Sequence, residues 1–389
     1  MLEKKERFKA LDILRGLTII IMALDHSRHF FALGYVYFAP TDIELTNLEV
    51  FFTRWVTHFA APVFIFLAGI GLYFASGRRS KSELAYLAFT RGLWLIFLEL
   101  TLVLFFWTFL PDFIYHPKVG VLFAIGISMI FMALLVYFPK PLIALIALSV
   151  VFAHNALDSI NPEFFGSFSW IWQLLHSPGS FYIGDIELRV IYPFIPWIGV
   201  IALGYLFGPV TKMPKPKRKK IFLLTGMSLI TFGLLLRLSS LYGDPSIWSQ
   251  YESFELTLIS FLNVTKYPAS LIFLSLFIGI AMILMYLFDR DLGRWSHPIR
   301  DIGQVPFFFY ILHIPLLHIA AVGLALYTFN DASWLFSAPT AHSPKGLSYG
   351  YELLPTYAGW IAVIILLYYP SRWFANLKKK RKDWWLSYL

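Results

Sequence analysis

Residues 11–31 read LDILRGLTIIIMALDHSRHFF. The run is long enough to cross a bilayer as a helix, which takes about 20 residues. It also holds six ionisable side chains: Asp12, Arg15, Asp25, His26, Arg28 and His29. A cleaved leader has a charge-free apolar stretch and small residues at its cleavage site, so this run reads as a retained span. On a helix, Asp12, Arg15, Ile19, Met22, His26 and His29 recur at spacings of three and four and share one face. That face carries a guanidinium near one end and an imidazole about 16 Å further along, at 1.5 Å per residue.

The chain around it has the same character. Its 389 residues include no cysteine, are 58% hydrophobic and only 14% charged, and are 19% aromatic. Soluble domains carry roughly 25% charged residues, so an ordinary soluble enzyme is excluded. Without cysteine there are no disulfides, thiolate metal sites or cysteine nucleophile. Ten apolar runs, near 11–31, 50–75, 85–109, 119–138, 141–160, 190–209, 220–242, 268–288, 302–326 and 354–370, predict an all-α polytopic transmembrane bundle. It forms a single domain over 1–389, with no soluble domain or low-complexity tract. The remaining loops at 161–189, 243–267 and 327–353 are rich in aromatic residues, Gly and Pro. Within them, 254–267 is apolar but too short to span, and is expected to re-enter the membrane.

Basic residues in loops favour the cytoplasmic side. With a cytoplasmic N-terminus, that side collects 23 of the 32 Lys and Arg residues, including Lys4, Lys5, Arg7, Lys9, the Lys212–Lys220 cluster and the Lys378–Lys382 run. The opposite loops hold only Lys118, Arg189, Lys266 and Lys345. Both termini are then cytoplasmic, as an even number of spans requires. The net charge of +9 is accounted for by topology, and a nucleic-acid partner is not expected.

Ionisable residues inside spans are costly, face the bundle interior and are functional candidates. Beside the first span, the second carries Arg54 and His58 one turn apart. The third carries Arg91 near its cytoplasmic end and Glu99 two turns deeper, and the ninth carries His313 and His318. Asp25, His26, Arg28, Arg54, His58, Glu99 and His313 form an outer and middle layer; Arg15 and Arg91 lie near the inner face. The plain alternative is that Asp12–Arg15 and Asp25–Arg28 are local ion pairs and His318 is hydrogen-bonded glue between helices. Histidine suits general acid–base work near neutral pH, and buried arginines suit phosphates of a donor arriving from the cytosol. The histidines are spread over helices without metal-ligand spacing, so no metal is expected. The chain has no phosphate loop, dinucleotide fingerprint or nucleophile elbow.

The opening pattern, Arg7 followed by Leu11-Asp12-Ile-Leu-Arg15-Gly16 and then MALDHSRHFF, resembles membrane-bound acyltransferases. It is most similar to bacterial relatives of heparan-alpha-glucosaminide N-acetyltransferase. FFTRWVTHFAAPVFIFLAG (51–69), TRGLWLIFLELT (90–101), FAIGISM (123–129), YPFIPWIGVIALGY (192–205) and FFFYILHIPLLH (307–318) extend the resemblance over almost the whole chain. A more distant likeness is to type-3 membrane acyltransferases, whose first helix also has Asp-x-x-Arg followed by a histidine. That likeness implies His26 as the catalytic histidine and Arg15 and Arg91 as donor contacts. The lysosomal enzyme departs from this pattern, with asparagine where His26 falls and aspartate where His58 falls.

The expected function is transmembrane acyl transfer. Acyl-CoA, with acetyl-CoA the first candidate, supplies the acyl group from the cytosol, and an acceptor, a sugar among the candidates, approaches from the outer side. His26, oriented by Asp25 or Glu99, acts as base, with His58 and His313 next in line. Arg54 and Arg28 contact the oxyanion or the acceptor. The bacterial inner membrane is the expected location, the bilayer and a second copy the expected partners. The alternative is a proton-coupled transporter or permease using the same Asp-His-Arg network. Trp170, Trp172, Trp248 and Trp334 suit sugar stacking and an interfacial belt equally well.

Overall fold

A computed structural model describes residues 8–32, 39–110, 114, 116–336, 351–381 and 383–388. Lys4, Lys5, Arg7, Lys345 and Lys382 of the charge pattern lie outside them. The described chain is a polytopic all-α bundle. Its helices are α1 (Lys9–Phe31), α2 (Leu48–Thr57), α3 (Ala60–Ser76), α4 (Lys81–Leu98), α5 (Leu104–Thr108), α6 (Val121–Leu135), α7 (Lys140–Ala153) and α8 (Ser169–Leu175). They continue with α9 (Ile195–Phe207), α10 (Lys215–Ser239), α11 (Phe254–Leu262), α12 (Leu271–Phe288), α13 (His297–Gly303), α14 (Pro306–Phe329) and α15 (Leu353–Lys380). Eight helical stretches are long and apolar enough to cross a membrane, α2 with α3 counting as one and α4 with α5 as another. In α1 the charged residues are spread along the helix rather than gathered at one end, and α6 has only 15 residues. All ten apolar runs read from the sequence fall on helix.

Three features were not read from the sequence. The second run is broken at His58–Phe59, where α2 ends and α3 starts. The loop at 161–189 folds into α8 and a hairpin, β2 (Gly179–Ile183) and β3 (Ile186–Val190), with β1 (Lys118–Val119) added in parallel along β3. The apolar stretch at 254–267 contributes α11, whose Leu262 carbonyl accepts a hydrogen bond from the Trp55 indole at 3.0 Å.

Helix α1 sits inside the bundle, packed against α2, α3, α12, α13, α14 and α15. Apolar solvent offers no drive for apolar helices to associate in lipid, so close backbone packing and interhelical hydrogen bonds take over. A Cβ on Gly16 would lie 1.9 Å from the Ile299 carbonyl oxygen, and one on Gly303 would lie 1.8 Å from that of Asp12. The glycine that follows Arg15 therefore lets α1 and α13 touch backbone to backbone. Helix α15 is tied to the other flank of α1. The Trp360 indole donates to the Ile20 carbonyl at 2.7 Å, and the Ser27 hydroxyl donates to the Thr356 carbonyl at 2.7 Å. These contacts fix the rotation of α1, and with it the direction of the Arg15–His26 face.

Candidate active site

The α1 face looks into a cavity of about 350 Å³. At one end its wall includes Arg15, Arg91, Trp94 and Tyr388; at the other it includes Asp25, His26, Tyr192 and Lys266. Apolar residues such as Met22, Phe64 and Ile125 line the stretch between them. Arg15 also borders a second cavity of about 670 Å³, built from the starts of α1 and α10 and the end of α3. That vestibule is strongly basic: Arg15, Arg78, Arg79, Lys212 and Arg218 face it, against Asp12. Arg218 is itself held by Asp289 through two hydrogen bonds of 2.8 and 2.7 Å.

Where α1 meets α14, the Nδ1 of His26 lies 2.6 Å from the Nε2 of His313. The Nδ1 of His313 lies 3.2 Å from the Phe309 carbonyl, one turn earlier on α14. A carbonyl oxygen only accepts, so a neutral His313 carries its proton on Nδ1. Its Nε2 then accepts, and His26 must donate from Nδ1. His26 is left with a lone pair on Nε2. The two rings stack with centroids 4.9 Å apart, and Trp107 meets His26 edge-on at 5.1 Å.

Asp25 does not orient this imidazole by a hydrogen bond. One carboxylate oxygen takes Arg28 at 3.0 Å and the other takes Arg54 at 2.5 Å. Arg54 comes from α2 and reaches the Tyr267 hydroxyl at 3.4 Å, which in turn lies 3.4 Å from that of Tyr192. Lys266 projects beside both tyrosine rings, 5.2 and 5.7 Å from their centroids. Burial pushes the Lys266 ammonium below the ordinary lysine range. Burial acts to raise the Tyr267 phenol, but the Lys266 and Arg54 cations outweigh it and hold it at about 8.

Glu99 and His318 are engaged by backbone groups away from the histidine pair, whereas His58 stays near the Asp25–Arg54 cluster. Glu99 begins a π-helical turn joining α4 to α5, and its carboxylate accepts the Leu122 backbone N–H of α6 at 3.0 Å. It caps α6, beside Gly120, where a Cβ would collide with it at 2.2 Å. His58 closes α2 and packs edge-on against Phe273 and Phe277, with its Nδ1 buried and without a hydrogen-bond partner. His318 donates from Nδ1 to the Phe106 carbonyl at 3.0 Å and stacks on Phe109. The structure therefore brings together Asp25, His26, Arg28, Arg54 and His313, and puts Arg15 and Arg91 at the other end of the cavity. Tyr192, Lys266, Tyr267, Trp94 and Tyr388 were missed by the sequence reading. Among the described residues, no group of three or more His, Asp or Glu side chains is placed to hold a metal ion.

The catalytic domain of heparan-alpha-glucosaminide N-acetyltransferase matches residues 7–241, and the chain belongs to that family. No curated protein matches the chain. The matched span holds Arg15, Asp25, His26, Arg54 and Arg91. Lys266 reaches the same cavity, and His313 backs His26, from the part of the chain beyond it.

Proposed function

We propose that this membrane protein transfers an acyl group, acetyl in the first instance, from acyl-CoA to an acceptor hydroxyl or amine. The observation that carries the reading is the cavity that starts at Arg15 and Arg91 beside a basic vestibule and ends at His26, which His313 backs. A coenzyme A thioester has the matching layout: phosphates at one end, a long slender arm, and the reactive carbonyl at the other. Guanidinium groups of the vestibule bind the phosphates. The apolar wall accepts the arm, and the Trp94 indole N–H, buried and without an acceptor, is free to donate to an amide oxygen of it.

At the far end His26 acts as general base. Its Nε2 lone pair takes the acceptor's proton as the acceptor attacks the thioester carbonyl, and the thiolate leaves with the CoA. Protonation makes His26 an imidazolium whose Nδ1–H still points at the lone pair of His313, so the pair stabilises the charge without moving. Asp25 adds negative charge beside it, and Arg54 offers a cation for the oxyanion. The vestibule belongs to the cytosolic side and the histidine pair to the outer half, with a sugar among the candidate acceptors.

The test is acyl transfer by the purified full-length protein in nanodiscs. Acetyl-CoA is supplied with envelope glycans and lipids as acceptors, and acetylated products are identified by mass spectrometry. Acetyl transfer that disappears in His26→Ala, while acetyl-CoA still binds, supports the reading. Substrate flux across proteoliposomes without modification would instead establish a transporter.

A further inference from the structure

The outer end of the cavity has an unbalanced charge inventory. Arg28, Arg54 and Lys266 converge there, and among the described residues Asp25 is the carboxylate that pairs with the two arginines. Both oxygens of Asp25 are already taken by the two arginines. Lys266 is 7% exposed, and among the described residues no carboxylate lies within ion-pair distance of it. Its ammonium has the Tyr267 hydroxyl as a hydrogen-bond partner, it lies beside the Tyr192 and Tyr267 rings, and its side chain forms part of the cavity wall together with His26. A buried ammonium with no anion is expensive to keep. Here it is kept at the wall of the space where an acceptor would sit.

We propose that Lys266 is the acceptor-reading residue of this site, and that the acceptor carries an anionic oxygen group, a carboxylate or a phosphate, beside the hydroxyl or amine that is acylated. This rests on the transferase reading above. The anion completes the charge balance at the outer end of the cavity, forming a charge-assisted hydrogen bond to the Lys266 ammonium. Arg54, held by Asp25, adds to the positive field without being released from its partner. With the anion anchored at Lys266, the neighbouring nucleophile is turned toward His26 Nε2. A neutral analogue leaves the ammonium buried without an anion, so discrimination arises from the cost of the unfilled site as much as from the hydrogen bond the anion makes.

Two measurements on the full-length protein in nanodiscs test this. The first is binding of inorganic phosphate and of acetate, by calorimetry, to wild type, Lys266→Gln and Lys266→Arg, with acetyl-CoA present to fill the basic vestibule. The expected result is saturable binding that falls about 10–100-fold in Lys266→Gln, the span set by one hydrogen bond to a charged group, and is retained in Lys266→Arg. The stronger of the two anions identifies phosphate or carboxylate as the group recognised. Retained acetyl-CoA binding shows that the variants are folded. The second is acetyl transfer to matched acceptors, glucosamine against glucosamine 6-phosphate and galactosamine against galactosaminuronate. Wild type should prefer the acidic member of at least one pair, and the preference ratio should collapse in Lys266→Gln. Anion binding that is absent, or that is equal in wild type and Lys266→Gln, overturns the proposal. Lys266-dependent anion binding without any transfer supports the anion site and instead counts against the transferase reading.

Discussion

His26 on α1 and His313 on α14 meet nitrogen to nitrogen at 2.6 Å, across 287 residues of sequence. Because His313 is tied through its other nitrogen to the Phe309 carbonyl, the contact has a direction. His313 accepts, His26 donates, and the basic nitrogen of the pair is Nε2 of His26. The neutral His313 does the orienting that a carboxylate does in a Ser-His-Asp arrangement, without adding a full negative charge within the membrane.

Replacing either histidine should therefore give different losses. His26→Ala removes the proposed base and should slow transfer by about 10²–10⁴-fold. His313→Ala leaves the base but frees its ring orientation and tautomer, and should cost less. His313→Gln, whose amide oxygen can accept from Nδ1, should recover part of that loss. Single-turnover acyl transfer with saturating donor measures all three. A His313→Ala enzyme as impaired as His26→Ala would make His313 the base instead.

How much of this was legible in the sequence follows from which contacts are local. The spans were legible because a 20-residue apolar run is its own signal, and so was the α1 face, because spacings of three and four fix it. His26 and His313 were each visible as intramembrane histidines, but their pairing depends on how α1 docks on α14, which no local pattern encodes. Lys266 was passed over because a lysine in a loop reads as ordinary surface charge; only the packed loop after α11 turns it into the cavity. Glu99 was assigned an inward catalytic position by regular helical spacing. That spacing holds from Arg91 to Glu99, but the carboxylate is taken by the Leu122 N–H at the start of α6, a contact no local pattern encodes.

The cap that Glu99 provides predicts an effect on stability larger than its effect on chemistry. Glu99→Ala should leave the Leu122 N–H without an acceptor, at a cost of about 1–3 kcal/mol, while donor binding and the rate per folded molecule stay close to wild type. Thermal unfolding in detergent, read beside transfer activity, separates the two effects. A large fall in rate at unchanged stability would return Glu99 to the catalytic group.

Lys118, on β1 beside that cap, makes stability depend on pH. Burial pushes its ammonium down to about 7, whereas a lysine in an unfolded chain titrates near 10.4. Between these values the unfolded chain holds more protons than the folded one, so folding stability rises with pH across the window. Below about 7 both states are protonated and the dependence disappears. The unfolding temperature of wild type should therefore climb from pH 7 to 9 more steeply than that of Lys118→Met. Parallel slopes would show that Lys118 keeps an ordinary affinity for its proton.

The basic vestibule and the arginines next to it should act on donor binding and leave the chemical step alone. Arg15→Ala, Arg91→Ala and the double substitution Arg78→Ala, Arg79→Ala should each weaken acetyl-CoA binding, with little change in rate at saturating donor, since a phosphate contact is made equally in ground and transition states. Raising the salt concentration should narrow the gap between wild type and variants, as screening predicts for partly exposed charges. Arg218 is a poorer probe because its pairing with Asp289 makes its loss structural as well. Donor affinity unchanged in all three variants would exclude this end of the cavity as the nucleotide site.

Sidedness decides which compartment supplies that donor. Ser80 and Pro216 are exposed and flank the same vestibule that Arg79 and Lys212 line. Ser167 is exposed in the segment leading to α8, past the far end of α7. The chain has no cysteine, so a single introduced thiol reports one position without background. Ser167→Cys should react with a membrane-impermeant maleimide on intact cells, and Ser80→Cys and Pro216→Cys should react only after the cells are opened. Lysine and arginine in short loops resist translocation, and the split of 23 against 4 is the basis for proposing a cytosolic vestibule, on the side where acyl-CoA is made and held. Labelling of Ser80→Cys and Pro216→Cys from outside would invert the bundle. The basic vestibule would then face a compartment without acyl-CoA, and its phosphate-binding role would fail along with the orientation.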